Sequence, residues 1–214
     1  MATYPLPLAE LVDPRHTAVL VVDIQPLFTA MPLSPPPAAV LPRLQRLLAA
    51  ARDAGVPLVF IRHVIPAERW TEVWQQKNRD SLRAALAPDS PLAAFAPAFE
   101  PQPGDVTVVK ERYSAFVHTD LETLLRARGI RAVVVAGLTT DVCVGSTARD
   151  AFQRDFHTVT LSDCCAEQTP ARHEAALQTL AACFGQVCAS DDVMTAWRGQ
   201  PVAAATERAA EEVG

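Results

Sequence analysis

A chain of 214 residues, 50% of them hydrophobic, can bury one sizeable core and is read as one domain spanning residues 1–214. Its net charge of −5, with Lys and Arg scattered rather than clustered, argues against nucleic acid as a partner. Five cysteines without a CxxC spacing argue against a disulfide framework or zinc knuckle, and no apolar run is long enough for a bilayer.

The start "MATYPLPLAELVDPRHTAVLVV" lacks the charged-then-apolar pattern of a secretory leader, and with no disulfide framework among the cysteines a reduced, cytoplasmic setting is expected. Ala18 to Val22 is a continuous apolar run, as in a strand buried on both faces. "SPPPAAV" breaks the chain, and Val40 to Ala54 then carries leucines at helical spacing. Pro57 to Ile61 reads as a second strand, 70–86 as weakly helical, and Val106 to Val109 as a third strand. Thr119 is expected to cap a helix with Leu121, Leu124 and Leu125 on one face, stopped by Gly129. Ala132 to Ala136 and His157 to Leu161 read as strands four and five, with a helix from Val142 to Phe152 between them. A helix from Pro170 to Phe184, a short sixth strand from Gln186 to Ala189 and a helix from Asp191 to Arg198 follow. The Ala- and Glu-rich tail, Gly199 to Gly214, reads either as helix or as frayed chain. Strands alternating with helices specify a parallel sheet covered on both faces, a three-layer α/β/α fold.

Ligands of such sheets bind beyond the carboxyl ends of the strands. There strand one ends in Asp23, strand three in Lys110, and strand four leads through Gly137 to Cys143. Taken singly, Asp23 could cap a turn, Lys110 could reach solvent and Cys143 could be a small core residue. Together they put a carboxylate, an ammonium and a thiol on one sheet edge. A thiol in the first turn of a helix also meets unpaired N–H groups and a favourable dipole, which would lower its pKa and make a nucleophile.

At these residues the sequence resembles the isochorismatase-like cysteine hydrolases, a superfamily that includes nicotinamidases, N-carbamoylsarcosine amidases, ureidoacrylate and biuret hydrolases. "VVDIQPLF" resembles the first-strand motif, "VVKERYSAFVHTDLETLLRARGI" the lysine motif and "VVVAGLTTDVCVGSTARDA" the nucleophile segment. The likeness runs from about Ala18 to Met194. It implies a six-stranded parallel sheet with Asp23, Lys110 and Cys143 as catalytic triad. It also implies a cis Leu138–Thr139 bond that aims the Thr139 and Cys143 amides into an oxyanion hole. A cysteine amidohydrolase of this kind would cleave a small amide, carbamoyl or ureido substrate through a thioester, without a cofactor, as a homo-oligomer (dimer or tetramer). Phe28 would wall the pocket or join the core, and Tyr113, Ser114 and Phe116 would pack.

Departures from relatives bear on the substrate. The nicotinamidase branch binds a metal through an aspartate and histidines beginning just after strand two. Here "VFIRHVIPAERW" offers His63 with no aspartate beside it, so no metal is expected. Isochorismatases proper lack the cysteine, and Cys143 therefore favours C–N cleavage over vinyl-ether hydrolysis. Gln168, in "SDCCAEQTPARH", falls where some carbamoyl-hydrolase relatives place a substrate-binding side chain. A neutral glutamine suits an uncharged amide or urea; a solvated loop residue is the other reading. The vicinal Cys164–Cys165 pair is expected in the core rather than as a redox pair. An ether hydrolase working through Asp23 alone, and a non-catalytic thiol redox or binding protein, remain the rival functions.

Overall fold

The computed structural model describes residues 6–78 and 80–199 of the chain. Its centre is a sheet of parallel strands: β1 (Thr17–Val22), β2 (Leu58–His63), β3 (Val106–Lys110), β4 (Ala132–Leu138), β5 (His157–Ala166) and β6 (Gln186–Cys188). The spatial order is β3-β2-β1-β4-β5-β6. β1 and β4, the two central strands, are buried along their whole length. Their sequences, TAVLVV and AVVVAGL, are rich in branched residues that pack well on a pleated surface with both faces covered.

Side chains alternate between two cores. On one face Val19, Val21, Val134 and Ala136 meet the helix Pro37–Asp53 through Val40, Leu44 and Leu47, and the helix Ser190–Arg198 through Val193 and Trp197. On the other, Ala18, Leu20, Val133 and Val135 meet Leu121 and Leu125 of the helix Leu121–Arg126, Ala148 of Gly145–Phe152 and Leu180 of Pro170–Cys183. Helices therefore cover both faces, as alternation of strand and helix dictates. Cys164 belongs to the first core and Cys165 to the second. Adjacent strand residues face opposite ways, so this pair packs and cannot bridge; all five cysteines are free.

Several element limits differ from the sequence reading. β2 continues past Ile61 to His63 and β5 past Leu161 to Ala166. Arg62 and the Ser162–Asp163 pair interrupt the apolar runs, but the ladder continues through backbone groups, which are indifferent to side-chain polarity. Between 70 and 86 the chain forms two short helices, Glu72–Lys77 and Asp80–Ala85, rather than one. Thr119 accepts a hydrogen bond from the Leu121 amide at 3.3 Å, while the cap position itself is Asp120. The expectations for 200–214 lie outside the described residues. Among the described residues, no helix is long and apolar enough to cross a membrane.

The strand order fixes where a site can form. From β1 the chain lays down β2 and β3 on one side, then returns to place β4 on the other side of β1. Connections leaving β1 and β4 therefore diverge, which opens a crevice at their carboxyl ends. Asp23 follows β1, and Cys143 follows β4.

Candidate active site

The turn that carries Cys143 begins at Gly137. Its φ is 130°, and a Cβ there would lie 2.0 Å from the Val22 carbonyl oxygen of β1. Only glycine permits so close an approach of the two central strands. The β4–β5 register shifts at the same place, between Val135 and Gly137. The Leu138–Thr139 peptide bond is cis. Thr140–Val144 then forms a wide π-type turn, in which the Val144 amide reaches the Thr139 carbonyl at 3.1 Å, before the regular helix Gly145–Phe152. This corrects the helix expected from Val142: Cys143 sits in the wide turn, not in a regular first turn. Apolar spacing alone does not separate a five-residue turn from an α-helical one.

Side chains from three elements hold this turn. Thr147 donates to the Cys143 carbonyl at 2.7 Å and accepts from the Ala115 amide at 3.1 Å. The Asp141 amide donates to Glu167 Oε2 at 3.0 Å, and the Gln168 amide donates to Glu167 Oε1 at 2.8 Å. Glu167 is fully buried. Thr140 Oγ1 and His173 Nδ1 are 2.8 Å apart, and Arg172 reaches Asp141 Oδ2 at 3.3 Å.

Asp23 terminates β1 in the left-handed region, φ 54°, a conformation that aspartate tolerates better than most residues. Its amide donates to the Ile61 carbonyl and its carbonyl accepts from Gln25, both at 2.9 Å. Lys110 Nζ lies 2.8 Å from Asp23 Oδ2, both side chains being inaccessible to solvent. Nζ also donates to Cys143 Sγ at 3.4 Å and to the Arg112 carbonyl at 3.0 Å. Among the described residues neither Asp23 oxygen receives a well-aligned hydrogen bond, so the 2.8 Å contact is an ion pair rather than a directed bond. Asp23, Lys110 and Cys143, expected together from the sequence, lie together in the fold.

Burial raises the Asp23 carboxyl above the usual carboxylate range, with Lys110 opposing it. Burial alone would lower Lys110, but Asp23 and Cys143 outweigh it and hold the ammonium above its usual value. The two shifts pull the pair in opposite senses, and the 2.8 Å separation decides for the charged pair. Burial pushes the Cys143 thiol well above its ordinary value; Lys110 draws it down and the Asp23 charge adds to the rise. This overturns the lowered thiol pKa read from the sequence. Dehydration of an almost enclosed sulfur, 4% exposed, exceeds the help of one ammonium. The resting cysteine is a thiol beside a carboxylate that can take its proton.

Nothing beside His63 in the sequence marks it as a site residue, and the fold brings it in. Ligand-type atoms of Asp23, His63 and Cys143 all lie within 4.8 Å of one another. His63 pairs with Lys110 in register at the strand ends and is 2% exposed. Gln25 fixes its backbone, accepting from the His63 amide at 2.8 Å and donating to its carbonyl at 3.1 Å. The ring stands edge-on to Trp74 and Tyr113, with centroids at 6.0 and 6.2 Å. Asp23, His63 and Cys143 are of metal-ligand type, but the Lys110 ammonium already holds the carboxylate and the sulfur, and a second cation there would meet its charge.

Phe28 is half-buried and packs against both the first core and the Ile65–Trp70–Leu86 cluster, a wall beneath the Trp74 segment. Gln168 is exposed, its side chain accepting from Arg172 at 3.2 Å; among the described residues no hydrogen bond joins it to the triad. Gln25, Glu167 and His173 were not picked out from the sequence. The signal for Gln25 was its place two residues after Asp23, and for Glu167 and His173 their place in the stretch SDCCAEQTPARH after β5.

A six-stranded parallel sheet between helical layers, with buried Asp, Lys and Cys at its switch point, defines the isochorismatase-like fold class. The isochorismatase domain matches residues 17–192, and the chain belongs to this family. The ureidoacrylate amidohydrolase RutB of Methylobacterium radiotolerans is 32% identical over 210 residues, covering 86% of this chain and 79% of that protein. The maleamate amidohydrolase of Pseudomonas putida is 35% identical over 185 residues, covering 84% and 86%. The crystal structure of a cysteine hydrolase from Pseudomonas syringae pv. phaseolicola 1448A superimposes with a TM-score of 0.80 at 30% identity, covering 88% of this chain and 95% of that one.

Proposed function

We propose that this chain is a cysteine amidohydrolase that cleaves the C–N bond of a small amide, carbamoyl or ureido substrate through a thioester on Cys143. The reaction class is hydrolysis of non-peptide carbon–nitrogen bonds, that of the named amidohydrolase relatives. The observation that carries the mechanism is the buried contact of Lys110 with both Asp23 and Cys143, at 2.8 and 3.4 Å.

Asp23 removes the thiol proton as sulfur attacks the carbonyl carbon. Transfer is coupled to attack, because the thiol holds its proton more tightly than the carboxylate does. Charge gathers on the carbonyl oxygen, where the Thr139 and Cys143 amides serve as donors; one such donor is worth about 3 kcal/mol. Asp23 then gives its proton to the departing nitrogen, the C–N bond breaks and the thioester remains. Water, deprotonated by Asp23, attacks the thioester, and the thiol regains its proton. Lys110 keeps Asp23 ionised between these transfers and balances its charge. Phe28 contributes packing, and Gln168 carries no step.

The test is ammonia release across a panel of primary amides, carbamoyl and ureido compounds, with Cys143→Ala beside the wild type. Release by the wild type and none by the variant is expected. Undiminished turnover in Cys143→Ala would favour an Asp23-only hydrolase instead.

A further inference from the structure

Within the site one strong acceptor has no role in the scheme above. His63 Nε2 is buried and, among the described residues, has no hydrogen-bond partner. Leaving a buried acceptor unpaired is costly, so such an atom generally awaits a donor. The donor cannot be the Lys110 ammonium, whose contacts are to Asp23, Cys143 and the Arg112 carbonyl. The ring is hydrogen-bonded to the Glu111 backbone, and burial together with the Lys110 charge holds it well below the usual imidazole range. It is therefore neutral. The Glu111 bond is of the kind that raises basicity, as a bond donated to a carbonyl does, so the single ring proton lies there and Nε2 keeps its lone pair.

We propose that His63 is a specificity-determining residue, whose Nε2 accepts a hydrogen bond from the leaving –NH2 of the substrate and so selects primary amides and terminal ureas over esters. The inference rests on the amidohydrolase reading. Asp23 must protonate the leaving nitrogen, which therefore sits beside Asp23 and the carbon bonded to Cys143. His63 closes the same triangle, within 4.8 Å of both. One N–H directed at Nε2 turns the nitrogen so that, in the tetrahedral adduct, its lone pair faces the proton on Asp23. An ester oxygen in the same place has no hydrogen to offer and sets its own lone pairs against that of Nε2. A site built on a buried acceptor rejects the analogue lacking the donor far more strongly than a merely apolar site does. Gln25, with its two bonds to the His63 backbone, and the Trp74–Tyr113 pair prevent the ring from swinging away.

The experiment compares a primary amide and the methyl ester of the same acid in wild type, His63→Phe and His63→Asn, reading kcat/KM and Cys143 acylation by intact mass. Phenylalanine keeps the ring packing and removes the acceptor; asparagine restores an acceptor oxygen. The amide rate is expected to fall about ten- to a hundredfold in His63→Phe. The ester rate should hold or rise, and His63→Asn should retain amide preference. Equal losses for amide and ester, or an unchanged ratio, would overturn the role of His63 while leaving the amidohydrolase reading intact. A wild type inert towards every primary amide would overturn both.

Discussion

Lys110 Nζ lies 2.8 Å from the Asp23 carboxylate, although β2 separates their strands and the backbones stand two strand spacings apart, about 10 Å. Only a long side chain laid over the end of β2 can span that gap, and in doing so it passes His63, its register partner on β2. The same ammonium touches the Cys143 sulfur at 3.4 Å. A single cation thus links the two groups between which the proposed mechanism moves a proton.

Removing that cation leaves a buried carboxylate uncompensated. Lys110→Met is expected to lower kcat by two or more orders of magnitude and to destabilise the fold by about 3–5 kcal/mol. The pH profile separates this from simple unfolding. The proposed mechanism requires ionised Asp23, and because its pKa is raised, the acid limb of kcat/KM should lie above the ordinary carboxylate range. In any folded Lys110→Met, where the cation no longer opposes burial, the limb should move higher still. A limb at the ordinary value of 3.8 in the wild type contradicts the account.

Glu167 tethers the nucleophile turn without touching the triad. Glu167→Ala frees the Asp141 and Gln168 amides, each such charge-assisted bond being worth about 1.5–3 kcal/mol. Thermal melting should show the loss, and kcat should fall more than KM rises. Glu167→Gln keeps the shape and one accepting oxygen and should recover part of both. A variant with lowered stability but unchanged kcat would make Glu167 structural only.

Much of this site was legible because Asp23, Lys110 and Cys143 each follow an apolar run, and parallel strands bring their carboxyl ends to one edge. His63 was not, since Arg62 breaks the run and a single histidine carries no partner in sequence. It enters only through the ladder, where Arg62 pairs with Val109 and His63 with Lys110. The polarity of the thiol was misread for a similar reason. A helix start is visible in sequence, whereas enclosure of the sulfur depends on residues far apart along the chain. Gln168 stands in the loop after β5 as its motif suggests, exposed and bonded through its side chain oxygen to Arg172.

Activity is expected to be independent of metal. Lys110 occupies the place a cation would take between the Asp23 carboxylate and the Cys143 sulfur. Exhaustive chelation should leave ammonia release unchanged, and added zinc should inhibit, if it acts, by competing at sulfur. Loss on chelation with recovery on zinc, iron or manganese would show that Asp23 and His63 are ligands instead.

The central claim is a covalent bond to one sulfur among five. Rapid-quench intact mass spectrometry of the wild type during turnover of a primary amide or urea, followed by peptide mapping, reads it directly. One acyl group is expected, on Cys143, present during turnover and gone when substrate is exhausted. An adduct on the exposed Cys183 or on Cys164 or Cys165, or full turnover with no adduct in Cys143→Ala, would contradict it.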